Sequence, residues 1–392
     1  MKAVYILSAV RTAIGRFGGS LRDVPPAELL TPVMRAAIER SGLPAGRLET
    51  AILGNVLHTA PGDPYLARRC SIEAGQPQAA TALAINRLCG SSLEAIIDLG
   101  MRIRLGEVRA GIAAGVESMS RAPHVLPDLR FGRKLGDVGL LDMLPGPLTD
   151  PFGHGHMGET AEYLAEHFGI DRETMDAFAL DSQRKALAAI EAGRFEGQIV
   201  PIEVGPPGRR HAFARDEHPR ADVTPERLAA LPPAFREGGR VTAGNSSGIN
   251  DAASALVLAD EDAVAGLRPM ARVLAWGHAG TDPRLMGIGP VGASRQALQR
   301  AGLEADDLDV VESNEAFAAQ ACAVSRELGL DAAIVNPNGG AIALGHPIGA
   351  TGAILVTKLV RELARRGGRY GLATLCIGGG QGAALVVENL LR

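Results

Sequence analysis

The segment Arg40-Ser41-Gly42-Leu43-Pro44-Ala45-Gly46-Arg47-Leu48 returns 260 residues later as Arg300-Ala301-Gly302-Leu303-Glu304-Ala305-Asp306-Asp307-Leu308. Five of the nine positions are identical. The match alone is compatible with chance, because a helix that ends at a glycine and is followed by a strand occurs in many proteins. The elements predicted around the two segments support a duplication, and they determine the predicted fold.

Both segments lead into the same order of elements. After the first we predict a strand at 51–56, a helix at 66–74, a strand at 80–85 and a helix that opens at Cys89. After the second we predict a strand at 310–312, a helix at 316–328, a strand at 332–335 and a helix that follows His346. Each copy closes with an apolar run, at 110–116 or 370–376. Alternating strands and helices predict an α/β fold with parallel sheets covered by helices.

The stretch 120–248 separates the two copies and is rich in proline, glycine and charge. It has helices of its own, predicted at 159–168 and 174–192, and long aperiodic loops, which often carry binding sites. We therefore predict three units. Residues 1–119 with 249–269 form the first half, 120–248 form an inserted loop domain, and 270–392 form the second half.

Composition argues against several classes of protein. The 392 residues are 46% hydrophobic and carry a net charge of −4, so no basic field recruits nucleic acid or an anionic membrane. The four cysteines show no CxxC spacing and suit a reducing cytosol. No apolar run approaches the ~20 residues of a membrane span, and the apolar residues 3–10 are interpreted as a first strand, not a signal peptide. We expect a cytoplasmic protein without nucleic-acid or membrane partners.

Cys89 and His346 occupy corresponding points of the two copies. Cys89, in Asn86-Arg87-Leu88-Cys89-Gly90-Ser91-Ser92, follows a strand and opens a helix, where free N–H groups and the helix dipole favour a thiolate. By position alone a small buried hydrophobe is the more frequent interpretation of such a cysteine. The glycine-rich stretch 336–353 contains His346, which lies just before the N-terminus of the equivalent helix. If the copies pack about a pseudo-twofold axis, a cysteine nucleophile and its base meet at the centre.

Two further polar residues follow predicted strands of the second copy. Cys376 ends the last core strand and enters Ile377-Gly378-Gly379-Gly380-Gln381-Gly382, whose backbone N–H groups suit a developing oxyanion. Asn314 directly follows another strand, so its amide is placed to hold a polar group or a water molecule at the same centre. A plain helix N-cap is an equally good interpretation of Asn314.

At these residues the chain resembles the thiolase family from end to end. Four blocks carry the resemblance: the Cys89 strand-to-helix segment, 314–318, 339–347 and 376–380. Two weaker blocks, 156–162 and 244–251, agree with it. Ser92 departs from the pattern, because many members have glycine there, and we expect its hydroxymethyl group to narrow the acyl pocket.

The resemblance implies duplicated βαβαβαββ halves that form a layered α/β sandwich, with an inserted loop domain. It also implies a reversible Claisen condensation, two acetyl-CoA giving acetoacetyl-CoA and CoA, or thiolytic cleavage of a 3-ketoacyl-CoA. In that reaction Cys89, helped by His346, takes the acyl group, and the N–H groups of Cys89 and Gly378 cradle the oxyanion. Cys376 then takes a proton from the second acetyl-CoA, whose enolate is held by His346 and a water molecule on Asn314.

The resemblance further implies the ligands and the assembly, with 120–248 as the domain for coenzyme A binding and oligomer contacts. The expected coenzyme A contacts are His156, Met157, Arg220, Ser247 and Met286, and Arg220 belongs to a cluster with Arg209, Arg210 and Arg215 that is otherwise interpreted as a solvated loop face. Coenzyme A is a substrate, and no cofactor or metal is expected. A homodimer or homotetramer is expected, with 122–144 as the tetramer-forming loop, and short acyl chains are favoured.

Competing interpretations remain open on the residues alone. Gly244-Asn245-Ser246-Ser247-Gly248 fits the serine-hydrolase elbow, although only a short apolar run precedes it. Gly287-Ile288-Gly289-Pro290-Val291-Gly292 fits a dinucleotide loop, although no strand leads into it directly. His154 and His156 are a candidate metal pair without an acidic or cysteine partner. A lipid carrier without catalysis is a third class, and a decarboxylating condensing enzyme would use one cysteine with two histidines or a histidine and an asparagine.

Overall fold

The first part of the chain supplies half of a central sheet and its covering helices. The structure, a computed structural model, describes residues 1–206 and 208–392. The first elements are β1 (Val4–Arg11), β2 (Gly15–Arg16), α1 (Pro26–Ser41), β3 (Thr50–Gly54), α2 (Leu66–Glu73), β4 (Thr81–Ile85), α3 (Ser91–Leu105) and β5 (Ala110–Ser118). Helix α1 begins with proline and is ended by Gly42 at φ 71°, the usual chemistry of helix ends.

The remaining elements belong to the inserted stretch and the second half. The inserted stretch contains β6 (His124–Val125), β7 (Leu141–Asp142), α4 (Met157–His167), α5 (Arg172–Glu191), β8 (Ile202–Val204), β9 (His211–Phe213) and α6 (Pro225–Ala229). After it come β10 (Asn250–Asp260), β11 (Ala271–Gly280), α7 (Gly289–Ala301), β12 (Val310–Ser313), α8 (Ala318–Leu328), α9 (Ala341–Leu344), α10 (Thr351–Arg366), β13 (Tyr370–Ile377) and β14 (Gln381–Asn389).

The strand order shows the duplication. The sheet runs β12, β13, β14, β11, β1, β10, β5, β3, β4, and β2 pairs with β10. Strands β1 and β11 pair at the centre, and each is the first strand of its copy. Moving outward from either one, the sheet meets the last strand of that copy, then the strand before it, then the strand after the first helix. This symmetry confirms the predicted α/β fold of two duplicated halves.

The expectation of parallel sheets is wrong for the centre of the sheet. Among the strands in the part of the chain that the structure describes, only β3 with β4, β3 with β5, and β12 with β13 run parallel, whereas the central pairs are antiparallel. Strand β14 follows β13 after only residues 378–380, and so short a connection can join only antiparallel neighbours. The strand expected at 332–335 is reduced to one bridge between Val335 and Val311.

Side chains alternate between the two faces of the sheet. In β14, Ala383 and Leu385 pack in the cluster that contains α3 and α10, whereas Ala384 and Val386 face α7. Helix α3 contacts β14 as well as β3, and α10 contacts β1 and β10 as well as β13. The two helices therefore lie side by side over both halves.

Helices α3 and α10 approach each other most closely at their first turns. A Cβ atom on Gly352 would lie 2.3 Å from the backbone nitrogen of Leu93, so only glycine fits. The residue before Leu93 and the residue after Gly352 are also in contact: Ser92 Oγ accepts a hydrogen bond of 3.0 Å from the N–H of Ala353. The first-turn N–H groups of a helix lack partners within the helix, and Ser92 satisfies one of them. The expectation that Ser92 narrows the acyl pocket is wrong, because its buried side chain faces α10.

The inserted stretch is partly built into the second half. Helix α4 packs on α8, and α5 packs on α8 and α9. The apolar cluster between them includes Leu164, Ala179, Ala319 and Ile342. Among residues 1–206 and 208–392, no helix is long and apolar enough to cross a membrane.

Removing the Ser92 hydroxyl tests the contact between the two helices. We expect Ser92→Ala to lower the free energy of unfolding by about 1 kcal/mol, because the buried N–H of Ala353 loses its acceptor. The measurement is a urea titration at one protein concentration. Ser71→Ala is the matched control, since that buried hydroxyl has no hydrogen-bond partner in the part of the chain that the structure describes. Equal losses in both variants would contradict a role for the Ser92 bond.

Candidate active site

Cys89 lies on a constrained turn between β4 and α3. Leu88, just before it, has a φ of 48°, a left-handed conformation that is costly for a residue with a side chain. Ser91 holds the turn: its hydroxyl accepts from the N–H of Arg87 at 2.9 Å and donates to the carbonyl of Leu88 at 2.7 Å. A Cβ atom on Gly90 would lie 2.5 Å from Ile377, so this glycine lets the end of β13 approach the cysteine.

The surroundings of Cys89 favour the thiol in the resting protein. Burial raises the pKa of Cys89 to about 11, although hydrogen bonds from the backbone N–H groups of Gly378 and Cys89 itself act to lower it. The expectation that the helix dipole favours a resting thiolate is therefore wrong. The N–H groups are in place, but desolvation outweighs them. The same two N–H groups are the predicted oxyanion donors.

His346 lies on the loop between α9 and α10, five residues before α10 begins. Its backbone N–H donates to Asn250 Oδ1 at 3.0 Å, and a Cβ atom on Gly345 would collide with the same asparagine. The next turn is held by Glu117, which accepts from the N–H of Gly349 at 2.8 Å. Burial lowers the pKa of His346 to about 4, so the imidazole is neutral near pH 7. The loop is thus fastened to strands of the first half.

Cys376 lies one residue before the end of β13 and is buried. It belongs to an apolar cluster with Met157, Met286 and Phe317. Burial and, after it, the charge of Cys89 raise the pKa of Cys376 well above its usual range.

Asn314 follows β12 and connects the second half to the histidine. Its backbone N–H donates to the carbonyl of Thr374 at 2.9 Å, which fixes it beside β13. Its Nδ2 atom lies 3.5 Å from Nε2 of His346. Helix α8 begins four residues later, at Ala318, so the alternative interpretation of Asn314 as a helix N-cap is wrong.

One cavity of about 1200 Å³ brings the predicted residues together. The predicted residues that line it are Cys89, His346, Cys376, Gly378, His156, Met157, Arg220 and Met286, together with Ser247. Of the predicted site residues only Asn314 is not in the lining, and it reaches the cavity through His346. The two copies therefore converge on one chemical site.

The inserted stretch supplies one wall of the cavity. His156 is the N-cap of α4: its Nδ1 accepts the N–H of Gly158 at 3.1 Å, so the ring hydrogen is on Nε2. The ring stacks on Phe235, with centroids 4.8 Å apart, and Phe235 meets Phe317 edge to face. Phe235 and Leu148 also line the cavity. Neither was predicted from the sequence, because both lie in proline-rich segments without periodicity. Phe317, by contrast, lies inside 314–318, one of the four segments that carry the family resemblance.

The arginines near the cavity differ from the predicted cluster. Of Arg209, Arg210, Arg215 and Arg220, only Arg220 lines the cavity. Arg16 and Arg227 line it as well, and each is paired with an acidic residue, Glu217 or Asp222. Arg16 comes from the first half and no local signal separates it from other surface arginines. The arginines that line the cavity therefore come from segments that are far apart in the sequence.

The competing motifs have structural explanations. Ser246 donates its hydroxyl to the carbonyl of Thr242 at 2.7 Å, and residues 240–243 form no strand, so no nucleophile elbow exists there. In the candidate dinucleotide loop, Gly289 packs on the backbone of Gln381, where a Cβ atom would lie 2.3 Å from its carbonyl oxygen. The glycine serves to seat α7 on β14.

Comparisons with known proteins agree with this geometry. Residues 4–262 match the family model of the thiolase N-terminal domain, and 267–389 match that of the thiolase C-terminal domain. The chain is 52% identical to the beta-ketothiolase BktB of Cupriavidus necator and 50% identical to the acetyl-CoA acetyltransferase of Pseudomonas aeruginosa, over 99% of this chain and 100% of each relative.

Solved structures give the same result. The acetyl-CoA acetyltransferase of Bacillus anthracis superposes with a TM-score of 0.97 at 45% identity, over 100% of this chain and 99% of that one. Human mitochondrial 3-ketoacyl-CoA thiolase in complex with CoA superposes with a TM-score of 0.96 at 43% identity, over 99% of this chain and 98% of that one. Fold and relatives define the protein as an acyltransferase. Within that class the chain belongs to the thiolase family, which confirms the resemblance.

The raised pKa of Cys89 gives a testable pH dependence. We expect the rate of Cys89 alkylation by iodoacetamide in the free protein to rise about tenfold per pH unit between pH 7 and 9, because the thiolate fraction grows in that proportion below the pKa. Mass spectrometry of the peptide that contains Cys89 measures the rate. Cys322, whose pKa burial raises to about 12, is the internal control and stays slower. A plateau below pH 8 would contradict the protonated resting state.

Proposed function

We propose that the protein catalyses the reversible condensation of two acetyl-CoA to acetoacetyl-CoA and CoA, through an acyl group on Cys89. The observation that carries the proposal is the convergence of Cys89, His346 and Cys376, from both halves, on one cavity. Relatives named acetyl-CoA acetyltransferase favour the acetyl group as substrate, and one named beta-ketothiolase favours the cleavage direction. The expected process is fatty acid metabolism.

In the first half-reaction the Cys89 thiol passes its proton to Nε2 of neutral His346 while its sulfur attacks the thioester. A burial-raised pKa makes this transfer necessary, because no resting thiolate exists near pH 7. The N–H groups of Cys89 and Gly378 stabilise the oxyanion. The departing CoA thiolate takes a proton from Cys376, which leaves acyl-Cys89, an imidazolium and a Cys376 thiolate.

In the second half-reaction the Cys376 thiolate removes a proton from Cα of a second acetyl-CoA. Its apolar surroundings make this thiolate a strong base, since burial penalises the charged form. The imidazolium of His346, with the neighbouring Asn314, stabilises the enolate oxygen. The enolate carbon attacks acyl-Cys89, and the released Cys89 thiolate recovers its proton from His346. All three groups return to their starting protonation states.

The coenzyme A contacts proposed from the resemblance fit the lining of the cavity. Met157 and Met286 offer adaptable apolar surface for the pantetheine arm. His156 presents an N–H donor, and Ser247 lines the same cavity. Arg220 is available for the nucleotide end, and its backbone N–H is fixed by Gln183 at 2.9 Å. All of these residues except Met286 belong to 120–248, which supports the assignment of that stretch as the main unit that binds coenzyme A.

The test is the loss of absorbance of magnesium-bound acetoacetyl-CoA on addition of CoA. We expect the wild type to show it, and Cys89→Ala and Cys376→Ser each to lose at least ~1000-fold in rate, since removal of a nucleophile or base costs several powers of ten. Cys322→Ser is the matched control, because this thiol lies on α8 outside the cavity. It is expected to retain full activity.

Other outcomes would redirect the proposal. A wild type that cleaves only longer 3-ketoacyl-CoAs would contradict acetyl specificity and keep the two-thiol chemistry. A wild type inactive on every 3-ketoacyl-CoA would favour the interpretation as a lipid carrier without catalysis. Activity that survives Cys89→Ala and disappears in Ser246→Ala would favour a hydrolase.

We also propose a cytoplasmic homotetramer built from two dimers. The four cysteines carry no disulfide, as suits a reducing compartment. Strand β4 is the exposed edge of the sheet, and an unpaired edge is a template for a second copy. The hairpin of β6 and β7 and its connection expose a run of apolar side chains, among them Phe131 and Leu135, at 96% and 91% exposure.

Light scattering tests the assembly. We expect the wild type at four times the chain mass and the double variant Phe131→Glu, Leu135→Glu at twice the chain mass, because charge in an apolar contact opposes association. Leu105→Glu is the matched control, since that side chain is 78% exposed at the end of α3, away from the hairpin. An unchanged mass in the double variant would contradict a tetramer built through the hairpin.

A further inference from the structure

A chain of hydrogen bonds behind the His346 ring has no part in the reaction as described. Nδ1 of His346 lies 2.6 Å from Oγ1 of Thr351, and that oxygen lies 2.9 Å from the carbonyl oxygen of Pro347. A carbonyl only accepts, so the threonine hydroxyl gives its single hydrogen to Pro347. The threonine oxygen then accepts from the ring, and Nδ1 of His346 must carry the hydrogen.

The other side of the ring agrees with this assignment. A neutral imidazole carries one hydrogen, so Nε2 presents a lone pair to the cavity. Its neighbour there is Nδ2 of Asn314, a donor, at 3.5 Å. A donor faces a ring nitrogen favourably only when that nitrogen lacks a hydrogen. Thr351 and Asn314 therefore specify the same tautomer from opposite sides.

We propose that Thr351 is a positioning residue that fixes the Nδ1–H tautomer of His346 and aims the Nε2 lone pair at the Cys89 thiol. The inference rests on the proposed function, in which Nε2 takes the thiol proton. Thr351 is the first residue of α10 and is 3% exposed, so its hydroxyl cannot exchange partners with bulk solvent. The contact also ties the His346 loop to the helix that packs on α3.

The chemical nature of the group that accepts from Nδ1 of His346 also affects the basicity of the ring. A hydroxyl orients the ring without adding negative charge, whereas a carboxylate would stabilise the imidazolium. His346 therefore gains the proton only transiently and returns it when Cys89 leaves the acyl group. His156 in the same cavity has the opposite arrangement, because its Nδ1 accepts from Gly158 and its hydrogen is on Nε2. The protein thus contains its own reference for the other tautomer.

Nitrogen NMR of the full-length protein labelled with 15N-histidine tests the tautomer without substrate. The His346 signals are identified by their loss in His346→Gln, and those of His156 by their loss in His156→Gln. We expect the Nδ1–H pattern for His346 and the Nε2–H pattern for His156. Thr351→Val, which replaces the hydroxyl by a methyl group of similar shape, should move His346 toward the Nε2–H form. Thr351→Ser should restore the wild-type pattern.

The matched control is Thr357→Val on the same helix. Thr357 is buried, and its hydroxyl lies 3.1 Å from Ser254 Oγ, with no bond to His346. It reports the loss of a buried hydroxyl from α10 without any change behind the ring, and the His346 pattern should not move.

Kinetics supply the second readout. We expect Thr351→Val to lower kcat for thiolysis about 10- to 100-fold with little change in KM, the scale seen when a group that orients a functional histidine is removed. Thr351→Ser and Thr357→Val should stay within about twofold of wild type. A wild-type Nε2–H pattern at His346, or a Thr351→Val variant that keeps the Nδ1–H pattern, would overturn the inference. An Nδ1–H pattern in a wild type without thiolase activity would uphold the tautomer and reject the function.

Discussion

Helices α3 and α10, one from each half, pack backbone against backbone at their first turns, and the placement of Cys89 and His346 depends on this contact. Leu93 and Gly352 are the touching residues, and no side chain fits between them. Cys89 precedes the first by four residues, and His346 precedes the second by six. The separation of the proposed nucleophile and its proposed base therefore depends on how closely these two helices pack in the dense interior. Loops held by Ser91, Asn250 and Glu117 only complete the placement.

The same closeness explains why the resting site carries so little charge. Two helix N-termini direct N–H dipoles inward, yet burial raises the pKa of Cys89 and Cys376 and lowers that of His346. A site with two thiols and a neutral imidazole admits an uncharged thioester at small desolvation cost. In the proposed cycle, charge appears only transiently, on the oxyanion, the enolate, the imidazolium and the thiolate, and opposite charges stabilise each other in the low-dielectric cavity. The dipoles then act on the oxyanion, when they are needed.

The sequence predicted what local patterns can encode. The order of strands and helices, and the positions of Cys89, His346 and Cys376 at their ends, follow from periodicity, glycine runs and the resemblance to the thiolase family. Long-range packing was not predictable in this way. The contact of Ser92 with Ala353 joins residues 261 positions apart, and Phe235 reaches His156 only because the inserted stretch folds back. The parallel sheet was expected because alternation alone does not reveal that each half ends in an antiparallel return strand.

The duplication also shows how two equal halves came to differ in chemistry. The connection from β5 to β10 in the first half corresponds to the connection from β13 to β14 in the second. The first spans 119–249 and brings His156, Met157 and Phe235 over the cavity. The second is only 378–380, and Gly379 and Gly380 adopt φ values of 82° and 84° in a turn too tight for side chains. One connection therefore covers the cavity, and its counterpart exposes the N–H of Gly378 to the sulfur of Cys89. In the proposed cycle, equivalent positions in the fold therefore divide coenzyme A binding and oxyanion stabilisation between them.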